Sequence, residues 1–396
     1  MKKLSILDVP KETFNNKRVF LRVDFNVPME DGKILDDYRI KKSLETINYL
    51  IECGSKIILA SHLSRPKGKD LKFSLKPVSI HLSKLLNKEV KFFDMIEENY
   101  IDYLKRIKNE VLSLKSKEIL LLENLRFSDG EEKNDEIFIN EISQLAEIYV
   151  NDAFGTSHRK HSSVYGLALK YKLRLAGILM KNEIEYLYKV KENPIKPFYS
   201  VIGGFKISDK IKVLENLINV SEKILIGGAM AYTFLKIKGI KVGSSVVDNS
   251  AIDFAQKFIK EYNQKIVLPI DHVVKNSQIK EVLEIDDEYK GMDIGKRTIE
   301  LFKNELINAK MIFWNGPLGK FEENEFSKGT FEIAKFISDL TKRGVITVLG
   351  GGDTVSAIHK ANLKDEDFTH VSTGGGATLE LLSGEEMPGV EVLNDV

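Results

Sequence analysis

Short runs of apolar and β-branched residues alternate along the chain with longer segments in which apolar residues return every three or four positions. In the first half, RVFLRV (18–23), KIILA (56–60), EVKFF (89–93), EILLL (118–122) and EIYV (147–150) read as strands. Between them, residues 41–52, 75–86 and 137–147 carry a helical period. The second half repeats the alternation with FYSVI (198–202), KILI (223–226), KIVL (265–268), MIFW (311–314), VITVL (345–349) and THVS (369–372). Strands that are apolar throughout, rather than at every second position, must be covered on both faces, and helical crossovers do this in parallel sheets. The pattern predicts an α/β protein of two doubly wound, Rossmann-like parallel-sheet domains. A charged amphipathic helix around 182–191 is followed by Pro194 and Pro197, which stop it. The expected boundaries are 1–181 for the first domain, 182–197 for a helical hinge and 198–380 for the second.

A chain of 396 residues, 43% hydrophobic, exceeds the usual single-domain size, which agrees with two domains. The formal charge of +1 argues against nucleic acid or a membrane surface as partner, so any anion must be held by local charge. Cys53, the single cysteine, leaves no internal disulfide and no multi-cysteine metal site; it is expected as a small core residue at a helix end. The opening MKKLSILDVPKETF lacks an apolar core of signal-peptide length, and no uninterrupted apolar stretch has the length of a membrane span. A soluble, cytoplasmic, monomeric protein is the expectation.

Glycine and arginine then separate the halves. Seven of the 27 glycines precede residue 190 and twenty follow it, whereas eight of the ten arginines precede it. The later glycines cluster where apolar runs end: Gly203-Gly204, Gly227-Gly228, Gly350-Gly351-Gly352 and Gly374-Gly375-Gly376. Such turns let backbone N–H groups approach an anion, and a following helix adds its positive end. With 49 lysines serving as the general surface cation, arginine marks places where a planar, bidentate donor is wanted. Arg22, Arg39, Arg65, Arg126 and Arg159 all fall in or beside expected loops of the first half. One half suits a compact anion and the other a nucleotide.

The individual motifs can be read two ways. In RVDFNVP, Asp24 and Asn26 stand at a strand's carboxyl end, where ligands bind in open parallel sheets, though they could simply make the turn before Pro28. Arg39 opens a helix against its dipole. SHLSRPKGK brings His62, Arg65, Lys67 and Lys69; ENLRF brings Arg126; NDAFGTSHRKHSS brings His158, Arg159, Lys160 and His161. One basic loop is usually a solvated surface, but basic loops at four successive strand ends would converge on one cleft. GGFKISDK is not a Walker A loop; its Lys206 and Lys210, four apart, would share a helical face. Trp314 is expected in the core. In GGGDT, Asp353 and Thr354 could cap a helix, and Asp353 could meet nucleotide phosphates through Mg²⁺.

Taken together, RVDFNVP, SHLSRPKG, ENLRF, VNDAFGTSHRKHSS, GGFKISDK, FWNGPLGKFE, GGGDT and STGGGAT resemble the phosphoglycerate kinase family in order and approximate spacing, nearly end to end. The resemblance implies reversible phosphoryl transfer from 1,3-bisphosphoglycerate to Mg-ADP, giving 3-phosphoglycerate and ATP, in line and after hinge closure. It places the triose on the first domain, the nucleotide on the second, and returns the segment 381–396 to the first. Asp24, Asn26, Arg39, His62, Arg65, Arg126 and Arg159 match triose-binding positions, with Ser64 of the same loop joining the candidates. Arg39, Lys206, Lys210 and Gly374, Gly375 and Gly376 match positions around the phosphoryl group in transit. Lys210, Gly291, Asn315, Glu322, Gly350, Gly351, Gly352, Asp353 and Thr354 match the nucleotide side, Asp353 also as the metal ligand. The chain departs from the family at Ser64, where glycine is usual, and at Phe205, where a small residue is usual; Phe205 either narrows the site or points into the core. Lys320 and Ala229 are further departures. A dinucleotide-dependent dehydrogenase is disfavoured, because no G-x-G-x-x-G follows an early strand with an acidic residue about twenty positions on. A non-catalytic phosphate-binding relative would need a lost reacting-site residue, and none is lost.

Overall fold

In the computed structural model, which describes residues 2–396, the apolar runs of the first half pair into one six-stranded parallel sheet. Its strands are β1 (Arg18–Arg22), β2 (Lys56–Ala60), β3 (Val90–Phe92), β4 (Ile119–Leu121), β5 (Ile148–Asn151) and β6 (Arg174–Ala176), in the order β3-β4-β2-β1-β5-β6. Val19, Phe20 and Leu21 of β1 and Ile57, Ile58 and Leu59 of β2 are wholly buried, as strands covered on both faces must be. The helix Tyr38–Glu52 buries Ile40, Ser43, Ile47 and Leu50, an i, i+3, i+7 stripe, and ends at Cys53, which is buried as expected.

The second half forms its own six-stranded parallel sheet from β7 (Phe198–Ile202), β8 (Lys223–Ile226), β9 (Ile266–Val267), β10 (Met311–Asn315), β11 (Ile346–Gly350) and β12 (His370–Val371). The order β9-β8-β7-β10-β11-β12 reverses direction between β7 and β10, and the crevice outside such a switch point is where open α/β sheets bind ligands. Trp314 of β10 is fully buried in this core. By its internal contacts the chain divides into residues up to Glu185 together with Glu386–Val396, and Tyr186–Glu385. The last residues thus belong to the first unit: Gly389 N–H donates to Ser157 O at 2.8 Å, and Asn151 Nδ2 to Gly389 O at 3.0 Å.

The pattern missed β6, the small hairpin Met29–Glu30/Lys33–Ile34 and a three-stranded antiparallel sheet of Ile279–Val282, His272–Lys275 and Lys290–Ile294. In that sheet Ile279–Val282 is largely solvent-facing, so it carries little apolar periodicity; Tyr232, Leu235, Val242, Val274, Ile285 and Tyr289 form its separate small core. The helix expected at 137–147 spans only Glu136–Ser143, because Glu147 is drawn to the β1 end, where it accepts from Lys17 Nζ and Arg18 N at 3.0 Å. No helix among the described residues is long and apolar enough to cross a membrane.

Candidate active site

In the first unit, the loops after β1, β2 and β4 are joined by a chain of hydrogen bonds that runs through the predicted residues. Arg39, in the first turn of Tyr38–Glu52, donates from Nη1 to Asp24 Oδ2 at 2.9 Å and to Asn26 O at 3.3 Å. Asn26 N donates to Asp24 Oδ1 at 3.1 Å, so Asp24 does make the turn; it also holds the arginine. Asn26 Oδ1 accepts from Ser64 N at 2.8 Å, and Ser64 O accepts from Arg126 Nη1 at 2.6 Å. Ser64 has φ +57, a left-handed conformation that glycine adopts without cost and serine does not. The backbone shape is kept without glycine because both peptide neighbours of the turn are pinned.

His62 lies beneath this chain, buried, with its pKa held well below the usual imidazole range by burial and then by the charges of Arg22, Arg126, Arg39 and His161. His161 is pushed down to about 3, by burial and then by Arg126, Arg159 and Arg22. Both are neutral at ordinary pH. Arg159 is half-buried, its Nε directed to His158 Nε2 at 2.8 Å. Arg65 is exposed and forms no hydrogen bond or ion pair with the others. Arg126 is balanced on its outer side by Glu132 at 3.0 Å. A concentration of guanidinium groups around neutral imidazoles suits anionic oxygens, although Asp24 and Glu132 each occupy one edge of an arginine.

In the second unit the glycine clusters divide into two kinds. A Cβ on Gly203 would stand 2.1 Å from Pro317 O, one on Gly227 2.5 Å from Leu318 Cδ2, and one on Gly228 2.6 Å from Gly204 N. These glycines let the turns after β7, β8 and β10 pack against one another. A Cβ on Gly352, Gly375 or Gly376 would meet nothing within 4 Å, so their backbone is open to a ligand. Gly203→Ala should therefore lower stability by about 1–3 kcal/mol or more, while Gly376→Ala should stay within about 0.5 kcal/mol of the parent. If a phosphoryl group lies against the backbone at Gly376, the added methyl crowds it and turnover falls instead; urea unfolding and steady-state rates on both variants separate the two kinds.

Lys206 and Lys210 do not share a helical face. Lys206 is exposed in the turn, and Lys210 ends a 3-10 turn, Ser208–Lys210, ahead of the helix Ile211–Val220. The helical period fails because the chain between them runs through a bend and this 3-10 turn, and the α-helix starts only after Lys210. Lys210 Nζ donates to Gly203 O at 2.5 Å and lies 3.5 Å from Asn315 O; burial lowers its pKa to about 8, against the opposing pull of Asp353 and Asp209. Asn315 is buried and spends its amide on Gly350 O at 2.7 Å, and Thr354 Oγ1 accepts from Gly316 N while donating to Gly350 O, both at 2.8 Å. Neither Asp353 nor Thr354 caps the following helix: the cap is Gly351 at φ +95, and Gly352–Lys360 begins before them. Gly374 N donates to Ser372 Oγ at 3.1 Å, which fixes the turn leading to Gly375 and Gly376.

A cavity of ≈ 360 Å³ opens beside these turns. Gly291, Glu322 and Asp353 line it, together with Phe205, Tyr232, Met292 and Lys320. Phe205 is 59% exposed, so it borders the cavity and is not a core residue. Gly291 lies so near Tyr232 that a Cβ would sit 2.2 Å from its hydroxyl. Tyr232 and Met292 were not anticipated; the antiparallel sheet that carries Met292 left no readable pattern. Asp293 Oδ2 accepts from Gly329 N at 2.7 Å and is pushed up to about 7 by burial, tying this wall to the helix Lys328–Lys342. No group of three or more His, Cys, Asp or Glu among the described residues is placed to hold a metal. Asp353 is an exposed single carboxylate on the cavity, a donor set that fits a magnesium ion carried mostly by phosphates and water.

The family model described as phosphoglycerate kinase matches residues 9–385. Curated phosphoglycerate kinases of Finegoldia magna and Thermosipho africanus are each 47% identical; the first is matched over 100% of both chains, the second over 98% of this chain and 97% of its own. Among solved structures, phosphoglycerate kinase from Coxiella burnetii superposes with a TM-score of 0.87 and that from Pyrococcus horikoshii OT3 with 0.84, each at 36% identity over 98% of both chains.

Proposed function

Since this chain belongs to the phosphoglycerate kinase family, we propose a division of labour among its residues for the family's reaction. The chain is a phosphotransferase of glycolysis that passes the acyl-phosphate phosphoryl of 1,3-bisphosphoglycerate reversibly to ADP, giving 3-phosphoglycerate and ATP. The first unit takes the triose: Arg39, Arg126, Arg159 and Arg65 meet its carboxylate and phosphate, with Asp24, Asn26, His62 and Ser64 shaping the loops. The observation that carries this is the bonded chain Arg39–Asp24–Asn26–Ser64–Arg126 above a neutral His62.

The second unit takes the nucleotide. Gly291 and Glu322 line the cavity for the nucleoside end, Gly350, Gly351 and Gly352 present backbone to the phosphates, and Asn315 and Thr354 hold those turns in shape. Asp353 would hold magnesium, which would neutralise phosphate charge. In-line transfer of a phosphoryl group from a good leaving group needs alignment and neutralisation of its outer oxygens and no general base. Arg39, Lys206, Lys210 and the N–H groups of Gly374, Gly375 and Gly376 supply these. Asp353→Asn should raise the magnesium concentration needed for half-maximal rate and weaken nucleotide binding, with 3-phosphoglycerate affinity unchanged. Equal loss of both affinities by calorimetry would contradict the assignment.

The same reading makes the molecule a monomeric, cytoplasmic enzyme that closes about 182–197 before transfer, which also keeps water from the phosphoryl group. Small-angle scattering should return a monomer mass and a radius of gyration that contracts only with 3-phosphoglycerate and Mg-ADP together. Contraction with nucleotide alone would contradict it. The reaction itself is tested by a coupled assay for ATP-dependent phosphorylation of 3-phosphoglycerate, and absence of rate would overturn it.

A further inference from the structure

Arg22, at the end of β1, is 1% exposed, and its guanidinium has only donors to offer. Its Nε donates to Ser163 Oγ at 2.7 Å and its Nη1 to Val23 O, while Nη2 lies 3.2 Å from His62 Nδ1. A hydrogen bond at that last position exists only if Nδ1 accepts, so the imidazole proton must sit on Nε2. The charge of Arg22 is met from behind. Glu131, fully buried, accepts from Ser163 N at 3.0 Å and from Ser163 Oγ at 2.5 Å. The Ser163 hydroxyl thus receives from Arg22 and gives to Glu131, and Tyr149 fixes the same residue by donating to Ser163 O at 2.8 Å. Ser163 sits in a short π-helical segment, Ser162–Gly166, which turns its hydroxyl and N–H toward one carboxylate.

We infer that Arg22, held by Ser163 and Glu131, is a positioning residue that fixes His62 as the neutral Nε2–H tautomer, so that His62 serves the triose as a hydrogen-bond donor and never as an acid. The inference rests on the triose reading of this cleft. The charged and titratable groups around His62 are Arg22, Arg126, Arg39 and His161; none is a carboxylate that would pair with a protonated ring, and the atom facing Nδ1 is the Arg22 Nη2 donor. An imidazolium would therefore face three guanidinium groups with a buried N–H unpaired. Nε2–H, on the opposite side of the ring, is the atom left for a carboxylate or phosphate oxygen.

Nitrogen-15 spectra of the histidine-labelled full chain test this directly, because the two ring nitrogens report the proton's position. His62 should show the Nε2–H pattern unchanged between about pH 5 and 8, and its signals should move on addition of 3-phosphoglycerate. In the double variant Arg22→Met with Glu131→Gln, which removes both buried charges together, His62 should lose its single tautomer. The KM for 3-phosphoglycerate should rise roughly tenfold with kcat within about twofold, the signature of lost positioning in binding. An Nδ1–H pattern or a titration of His62 in that range in the parent protein would overturn the inference. So would an unaltered tautomer in the double variant; should that variant not fold, the parent spectrum alone decides. If 3-phosphoglycerate leaves a correctly assigned Nε2–H signal unmoved, the triose assignment falls and the tautomer stands.

Discussion

Arg39→Ala should lower turnover about 10³-fold, the scale of losing a charge-stabilising arginine in phosphoryl transfer. The Arg39 side chain is about one-third exposed while one edge of its guanidinium is tied to Asp24 and Asn26. That arrangement aims the free edge and limits the conformational freedom lost when an anion arrives. Because Arg126 and Arg159 remain, affinity for 3-phosphoglycerate should fall far less than turnover. A variant that kept a tenth of the parent rate would remove Arg39 from the transition state. Lys257→Met, on the exposed face of the helix Ile252–Tyr262, is the silent control.

Replacing Lys210 by Met should cost on the order of 10²–10³-fold in turnover, the loss seen when one preorganised donor is removed from developing negative charge. The parent enzyme should also show a pH effect that the variant lacks. Lys210 titrates near 8 in the folded protein, lowered by burial from an ordinary value of 10.5. As pH rises through 8 the free enzyme loses the cation, so kcat/KM for the nucleotide should fall along an alkaline limb. Bound phosphate favours the charged form, so the limb in kcat should lie higher. Stability moves the other way. Between 8 and 10.5 the unfolded chain holds the proton and the folded one does not, so this group favours folding more as pH rises through that window. A Lys210→Met enzyme that kept the alkaline limb would assign it to another group. Lys206→Met should also lose turnover.

The sheets were legible in the sequence because wholly buried strands are apolar at every position: each of the eleven runs contains a strand, β1, β2, β7, β10 and β11 match closely, and β9 and β12 keep only two residues each. The antiparallel sheet around His272–Ile294 was not legible, since its outer strand faces solvent and its lysines and glutamates resemble a loop. The loop arginines could be singled out as candidates from residue type and position, and the structure joins Arg39 and Arg126 through one bonded chain. What residue type cannot reveal is who partners whom. Arg22 and Ser163 are 141 positions apart, and Ser163 and Glu131 are 32, so a buried polar network of this kind leaves no local trace. The glycine clusters were read as anion turns throughout, yet Gly203, Gly227 and Gly228 answer to close packing between turns. Only the fold distinguishes a glycine that admits a ligand from one that admits a neighbour.

The return of Glu386–Val396 to the first unit has a consequence for synthesis. The segment that donates from Gly389 to Ser157 and accepts from Asn151 is made after every residue of the second unit. On the ribosome, the first unit emerges before the second but stays without these backbone partners until Glu386–Val396 has followed, while the second is continuous from Tyr186 to Glu385. The half that is translated first is thus the half that is completed last.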